Sequence, residues 1–322
     1  MTRRAVIDIG TNSVKLLVAD LDQGAIRPVL ECSEQTRLGR GFYTDHRLRA
    51  EPIAHTARVV AGFARRAHEG GASLIRLLAT SAARDARNAE ELLAAIRQAS
   101  GLEVEIISGE QEAEWAFRGA VLGQHLDAQP VLILDVGGGS TEFILGAGAT
   151  LWFRQSFALG VVRLLERIRL AEPPSPDDLE RCLESISRFL QTDVAPNLQP
   201  ALAAHHQAGI VQLVGTGGSA SILGAMELRL SQFDRDRIEG SMLDLARVRW
   251  HLDHLWSLPI EERRKIPGLP PERADVILTG VAIYAGVMRQ FKLDHLRIST
   301  RGMRYAALAD VEGRAWKPVR PT

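Results

Sequence analysis

Two stretches of the chain carry aspartate, glycine and serine at the same offsets: Asp8, Gly10 and Ser13 in the first, Asp135, Gly137 and Ser140 in the second. Each aspartate lies at the end of an apolar run, and a turn of small residues follows. In the second copy the turn is Gly137-Gly138-Gly139-Ser140-Thr141. Without side-chain bulk, several backbone N–H groups can converge there on one anion while the hydroxyls add donors. That is a phosphate cradle in outline. A carboxylate beside a phosphate is repulsive unless a hard cation such as Mg²⁺ bridges them, so the two aspartates point to metal-assisted phosphate chemistry. A single Gly-rich hairpin is readily a structural turn; two copies with Asp and Ser in register favour the functional reading.

The elements that must position these residues follow from hydrophobic periodicity. After each turn the chain resumes an apolar run, Leu16-Leu17-Val18 or Phe143-Ile144-Leu145, so each signature joins strand to strand. Turns at Asp22-Gln23-Gly24 and Ala147-Gly148-Ala149 lead into further strands, Ile26 to Cys32 and Leu151 to Phe157. The first half then reads helix Pro52 to His68, strand Leu74 to Ala79, helix Ala89 to Ala99, strand Val104 to Ile107 and helix Glu110 to Leu122. The second half reads helices Val161 to Leu170 and Asp177 to Gln191, strand Ile210 to Val214, helices Ser219 to Leu228 and Arg273 to Phe291, strand Leu296 to Ser299 and a closing helix from Gly302. Three strands followed by alternating helices and strands, twice over, predict a duplicated α/β fold. The polar stretch Gln124 to Pro130 reads as the link. This gives domains over 1–126 and 127–322, with a closing helix at 302–313 that can pack back on the first.

The totals exclude several function classes. With 39 basic and 39 acidic residues in 322, the net charge is zero, which gives no reason for general attraction to nucleic acid or to an anionic membrane. Any anion site must be local. Cys32 and Cys182 lie far apart, so neither a disulfide framework nor a zinc site is suggested, and a reducing cytoplasm is expected. The longest uncharged apolar run, Val276 to Met288, is too short to span a bilayer, and Asp8 interrupts the amino-terminal apolar segment as no signal peptide would.

The segments Ile7-Asp8-Ile9-Gly10-Thr11-Asn12-Ser13 and Leu134-Asp135-Val136-Gly137-Gly138-Gly139-Ser140-Thr141-Glu142 resemble the two phosphate motifs of the exopolyphosphatase and guanosine pentaphosphate phosphatase (Ppx/GppA) family. Ala79-Thr80-Ser81-Ala82-Ala83-Arg84 and Ile107-Ser108-Gly109-Glu110-Gln111-Glu112-Ala113 resemble its further signatures, and the likeness runs from about Ala5 to Ala307. The resemblance implies two actin-like (ASKHA, ribonuclease H-like) domains with phosphate held in an interdomain cleft. It also implies hydrolysis of a terminal phosphoryl group from inorganic polyphosphate or guanosine pentaphosphate, a Mg²⁺ or Mn²⁺ requirement, and a homodimer. Long members of the family carry extra helical domains after the second lobe. The shorter chain here is therefore expected to prefer short or medium polyphosphate and to cut it distributively.

Individual roles combine residue logic with that resemblance. Ser108-Gly109-Glu110-Gln111 fits a capping box, which places Glu112 in the first turn of a helix. An acid there also serves the helix dipole alone. The resemblance adds that the family's catalytic glutamate precedes the alanine matched by Ala113, making Glu112 the expected base. Asp135 and Glu142 flank the glycine turn and match the family's metal-approaching acids; Asp8 is a second-rank ligand acting through water. Thr11, Asn12 and Ser13, with Gly137, Gly138, Gly139, Ser140 and Thr141, are assigned to phosphate oxygens. Arg84 matches the family's arginine and is expected to contact phosphate. Arg37, Arg40, Arg301 and Arg304 are weaker candidates for holding a long anion.

Three rival readings exist. Gly215-Thr216-Gly217-Gly218-Ser219-Ala220 fits a G-x-G-x-x-A dinucleotide fingerprint, with Asp234 and Asp236 downstream. No run of parallel βαβ units is expected around it, and in the superfamily this turn faces a nucleotide or distal phosphate, so Gly215, Gly217 and Gly218 are expected to line the same cleft. A superfamily kinase would transfer phosphate to an acceptor. A non-catalytic sensor would bind guanosine polyphosphate or polyphosphate without turnover, and the presence of Glu112 beside two acidic motifs argues against it. His125, His205 and His206 lack ligand spacing.

Overall fold

A computed structural model describes residues 2–22, 25–122, 129–205, 211–310 and the short strand 317–318. Gln23, Gly24, most of the expected link after Gln124, His125, His206, Ile210 and the end of the expected closing helix lie outside the described residues. The backbone divides into two compact units, Met1–Trp115 with Met303–Thr322, and Ala116–Gly302.

The first unit opens with β1 (Thr2–Ile9), β2 (Val14–Asp22) and β3 (Ala25–Glu34), followed by α1 (Ala50–Glu69), β4 (Leu74–Ala79), α2 (Ser81–Asp85), α3 (Ala89–Ser100), β5 (Val104–Ile106) and α4 (Gly109–Val121). Strand β2 pairs antiparallel with β1 and β3, β4 lies parallel to β1, and β5 parallel to β4. The strand order is therefore β3-β2-β1-β4-β5. Ala5, Val6 and Ile7 are fully buried on both faces of β1, as a central strand of an α/β sheet requires. Helix α1 buries Ile53, Ala57, Val60 and Ala67, spaced three, four or seven apart, so one face meets the sheet while its charged residues stay out.

The second unit repeats the plan with β6 (Val131–Val136), β7 (Thr141–Ala147), β8 (Thr150–Phe157), α5 (Val161–Ile168), α6 (Pro176–Phe189), α7 (Ala195–His205), β9 (Gln212–Thr216), α8 (Gly217–Glu227), α9 (Arg235–Ile238), β10 (Met242–Asp244), α10 (Leu245–Ser257), α11 (Ile260–Arg263), α12 (Ile277–Phe291) and β11 (His295–Ile298). Its order is β8-β7-β6-β9-β11, with β10 added at the edge. The first five positions match the first unit strand for strand, and this shared plan is that of actin-like domains. Helix α13 (Met303–Ala309) returns to pack on β1 and β2, and β12 (Lys317–Pro318) pairs with β4. Helix α12 is buried all round from Ile277 to Met288 and packs against α5, α6, α8 and α10, as a helix apolar on every side must. No helix among the described residues is long and apolar enough to cross a membrane.

The structure departs from the sequence reading in places. The change of unit falls inside α4, after Trp115, eleven residues before the 126/127 division. A polar, proline-ended stretch marks where a helix stops, not where its contacts change partner. Beyond α6 the chain passes through a π-helical turn, Leu190–Val194, into α7, which carries Pro200. Pro196 lacks the N–H for a regular bond to Thr192, and the wider turn absorbs the gap.

Helix α6 begins in a full capping box, with Ser175 as cap and Asp178 as its reciprocal partner. The N–H of Ser175 chiefly, with its hydroxyl, Arg181 and the N–H of Ala171, holds the Asp178 carboxyl down at about 2 against the effect of burial. A depressed carboxyl stabilises the fold above its unfolded pKa of roughly 4 and loses that contribution as pH falls through the folded value. Asp178→Ala is expected to lower the melting temperature at pH 7 by about 2–4 °C, equivalent to a lost cap of about 1 kcal/mol. The gap to wild type should close between pH 4 and 2; thermal unfolding across that range checks it.

Candidate active site

The two glycine turns have the same construction. Gly10 N–H donates to Ser13 O at 3.0 Å, and Gly137 N–H to Ser140 O at 2.9 Å. In the first unit the carbonyls of Thr11 and Asn12 are held by Gly39 N–H at 2.7 Å and Arg37 N–H at 2.9 Å. In the second, those of Gly137 and Gly138 are held by Val161 and Val162 N–H at 3.0 and 2.9 Å, and that of Gly139 by Arg163 Nε at 2.8 Å. With the carbonyls secured behind, the N–H groups of Thr11, Asn12, Ser13, Gly138, Gly139 and Ser140 meet no acceptor among the described residues. Peptide dipoles so oriented form an anion-binding concavity. The sequence reading includes the helix from Val161 and names Arg37, but not that these segments back the turns; only the glycines of Arg37-Leu38-Gly39 and Leu159-Gly160-Val161 hint at close approach.

Side chains add to the turns unevenly. Thr11, Asn12, Ser13 and Ser140 are buried. Asn12 donates its amide to Gln35 Oε1 at 2.9 Å, and Thr141 donates its hydroxyl proton to Leu159 O. Asn12 therefore offers an anion its backbone N–H, and the Thr141 hydroxyl is committed to holding β7 against the start of α5. Among the described residues no such bond ties the Ser13 and Ser140 hydroxyls.

The aspartates differ in their cross-strand partners. Asp8 stands opposite Lys15 in the β1–β2 ladder, whereas Asp135 stands opposite Glu142 between β6 and β7. Burial pushes the Asp8 carboxyl above its ordinary range, with Lys15 and Arg304 opposing. Directly opposed like charges destabilise a ladder and favour a bridging cation. Glu142 is 1% exposed and accepts from Ser156 Oγ at 2.7 Å. No cluster of three or more His, Cys, Asp or Glu that could hold a metal occurs among the described residues. The donor set does not make a protein cage. It fits a hard cation of the Mg²⁺ kind, which takes one or two carboxylates and completes its shell with water and substrate phosphate.

Arg84 and Glu112 are brought together. Arg84 Nη1 donates to Glu112 Oε2 at 3.1 Å and to Ile107 O at 3.1 Å, with Asp85 Oδ1 3.8 Å from Nε. Ser108 caps α4 through Gln111 N–H at 3.1 Å, placing Glu112 in the first turn as the motif implied. The expected phosphate-binding arginine thus lies on the expected base, a pairing that residues 28 positions apart do not advertise. Of the weaker arginine candidates, Arg301 donates to Leu122 O at 2.8 Å and Arg304 to Leu16 O at 3.0 Å, and Arg40 is exposed.

The second-unit glycines separate. Gly217, at the head of α8, has a left-handed φ of +85°, and a Cβ there would stand 2.3 Å from Asp135 Oδ1. Gly218 follows it in the first turn of α8. Gly215 lies buried within β9, where a Cβ would meet Leu296 and the Tyr284 ring at 2.9 Å. It packs the interior and does not line an open surface, because alternation along β9 turns it away from the turn it precedes. As for the dinucleotide reading, β6, β9 and β11 run parallel, the expectation having concerned a run of βαβ units and not parallel strands as such. Yet β10, the strand after α8, is antiparallel to β11, and Asp234 caps α9 through Arg237 N–H. No parallel strand follows α8 directly to present a ribose-binding acid.

One feature unites the candidates. In the first unit Ile9, Ala79 and Ile106 are in register at the carboxyl ends of β1, β4 and β5. The segments that follow carry Gly10–Ser13, Arg84 and Glu112. In the second unit Asp135, Thr216 and Ile298 end β6, β9 and β11 or lie one residue from the end, and Gly137–Thr141 and Gly217–Gly218 follow. In open α/β sheets ligands bind outside the carboxyl ends of the strands. Gly215 apart, each unit gathers its candidates at that edge.

The sequence profile of the Ppx/GppA phosphatase family matches residues 17–315. The chain belongs to the Ppx/GppA phosphatase family. Exopolyphosphatase 2 of Mycobacterium tuberculosis is 32% identical over 312 residues, covering 93% of this chain and 95% of the relative. Among solved structures, the Ppx/GppA family member of Aquifex aeolicus is 30% identical with a TM-score of 0.75, over 95% of this chain and 96% of that one. An exopolyphosphatase from Cytophaga hutchinsonii is 25% identical with a TM-score of 0.83, over 96% and 97%. Ppx/GppA membership accords with the paired turns and with Glu112 at the head of α4.

Proposed function

We propose that this protein is an exopolyphosphatase, releasing orthophosphate from the end of inorganic polyphosphate. The observation that carries the reading is the pairing of Arg84 with Glu112 at the same strand edge as an anion-binding turn. The 32% identity to a mycobacterial exopolyphosphatase supports polyphosphate as the substrate. Glu112 orients and deprotonates the attacking water, a task of position more than of covalent chemistry. The backbone N–H groups of the two turns, with Ser13 and Ser140, bind phosphoryl oxygens. Asp135 and Glu142 would hold Mg²⁺ or Mn²⁺, with Asp8 the weaker candidate. When bound, such a cation neutralises charge on the phosphoryl oxygens.

The test is orthophosphate release from polyphosphates of graded length, with ATP plus acceptors as the kinase control. Release without an acceptor supports the reading. Binding without release rejects it for a sensor, and phosphate appearing only on an acceptor rejects it for a kinase.

The ion pair revises what is expected of Arg84. Arg84→Ala should raise KM and also lower kcat by about tenfold or more, because the guanidinium orients Glu112 as well as meeting phosphate. Steady-state kinetics check this: a rise in KM alone would make Arg84 a phosphate ligand without hold on the base.

A further inference from the structure

Behind the second unit's strand edge lies a tyrosine that the reading above does not use. Tyr284, on α12, is fully buried, and its hydroxyl stands 3.1 Å from both Leu134 O on β6 and Thr216 O on β9. These carbonyls lie at the carboxyl ends of neighbouring parallel strands, with Asp135 opposite Thr216 as the last rung of the ladder. The next residue on β6 is Asp135, and β9 gives way after Thr216 to Gly217 at the head of α8, whose missing side chain leaves room for Asp135 Oδ1. Gly215 makes the arrangement possible, because a Cβ there would stand 2.9 Å from Tyr284 Cε1 and 3.1 Å from its oxygen. Five residues earlier on α12, the buried Thr279 hydroxyl stands 2.9 Å from Val161 O, at the start of the helix whose N–H groups secure the Gly137–Gly138 carbonyls, and 3.1 Å from Val276 O in its own helix. A single buried helix thus reaches both the strand ends and the backing of the glycine turn.

We propose that Tyr284 is a positioning residue, with Thr279 as its second anchor, fixing the spacing between the Asp135 strand end and the Gly217 turn. The inference rests on the phosphohydrolase reading. A hydroxyl that bridges two strands through carbonyls near their carboxyl ends, Thr216 at the end of β9 and Leu134 two residues before the end of β6, limits their splay close to where the register ends. Catalysis by placed charges is sensitive to such spacing, since a misplacement of about 1 Å can cost on the order of a hundredfold in rate. An ordinary packing tyrosine needs one acceptor for its O–H; here two carbonyls from different strands share it at the edge where the candidates gather.

The experiment uses Tyr284→Phe, which keeps the ring and removes only the hydroxyl, and Thr279→Val, which keeps the shape and removes the second anchor. Tyr284→Phe is expected to lower kcat on polyphosphate by about tenfold with KM nearly unchanged, the pattern of a lost transition-state arrangement. The Mg²⁺ concentration giving half-maximal rate should rise several-fold, which a loss of folded protein alone would not produce. Thr279→Val should move both quantities the same way, by less. Hydrogen exchange separates the inference from the function beneath it: Tyr284→Phe should exchange faster in 131–140 and 212–219 and unchanged in 74–79. An active Tyr284→Phe with wild-type kcat and Mg²⁺ dependence overturns the positioning role. A wild type that releases no orthophosphate refutes the function instead. The strut is then judged on exchange, and equal exchange in both segments overturns it.

Discussion

Glu112→Gln is expected to lower turnover by at least about a hundredfold while KM stays near the wild-type value, because positioned general bases contribute about 10²–10⁴. The amide keeps the size of the side chain and can still accept from Arg84, whose Nη1 lies 3.1 Å from Glu112 Oε2. What it loses is the capacity to take a proton from water. A hundredfold corresponds to about 2.7 kcal/mol in the barrier. The acid's interaction with the start of α4 is worth only about 0.3–1 kcal/mol, so the loss of rate cannot be attributed to helix destabilisation. Thermal unfolding of the variant supplies the control. Wild-type turnover in Glu112→Gln would move the base to another residue and remove the reason for the Arg84 pairing.

The second large effect concerns the metal. Excess EDTA is expected to abolish orthophosphate release, and Mg²⁺ or Mn²⁺ to restore it. The comparison between the two hairpins supplies the reason. In the ladders Asp8 is opposed by the cationic Lys15, whereas Asp135 is opposed by a second acid, Glu142. A polyanionic substrate approaching this second pair adds repulsion that a divalent cation offsets. Asp135→Asn should accordingly raise the cation concentration needed for half-maximal rate, and Asp8→Asn should raise it less. Full activity in excess chelator would show that Glu142 and Asp135 serve the fold alone.

The duplicated plan was legible because its signature is local. Asp, Gly and Ser at fixed offsets, bounded by apolar runs, specify strand, turn and strand whatever lies elsewhere, and both sheets grow from those hairpins. The long amphipathic helices were equally plain: the reading of 52–68 became α1 over Ala50–Glu69. Between 229 and 272 the sequence reading assigns no helix or strand, although the stretch forms β10 and α10. In α10 the buried residues include His251 among Val248, Leu252 and Leu255, and Trp250 is exposed, which blurs the apolar stripe.

The site was legible as residues and not as relations. The positions of Glu112 and Arg84 came from motifs, but their ion pair depends on the adjacency of β4 and β5, which no local pattern encodes. Gly215 shows the limit from the other side. It belongs to a glycine-rich string, and only the sheet reveals that its missing side chain makes room for Tyr284 while Gly217, two residues on, makes room for Asp135. Thr141 likewise sits in the motif beside Ser140, yet its hydroxyl is turned to Leu159 by the alternation of β7.

The proposed chemistry is attack by water on the terminal phosphorus, and hydrolysis in ¹⁸O-labelled water tests it most directly. With long polyphosphate as substrate, mass spectrometry should find one ¹⁸O in each orthophosphate released and none in the shortened chain, since the bridging oxygen leaves with the polymer. Label in the polymer and unlabelled orthophosphate would place attack on the penultimate phosphorus. That result, or no orthophosphate at all, would contradict terminal hydrolysis driven by Glu112.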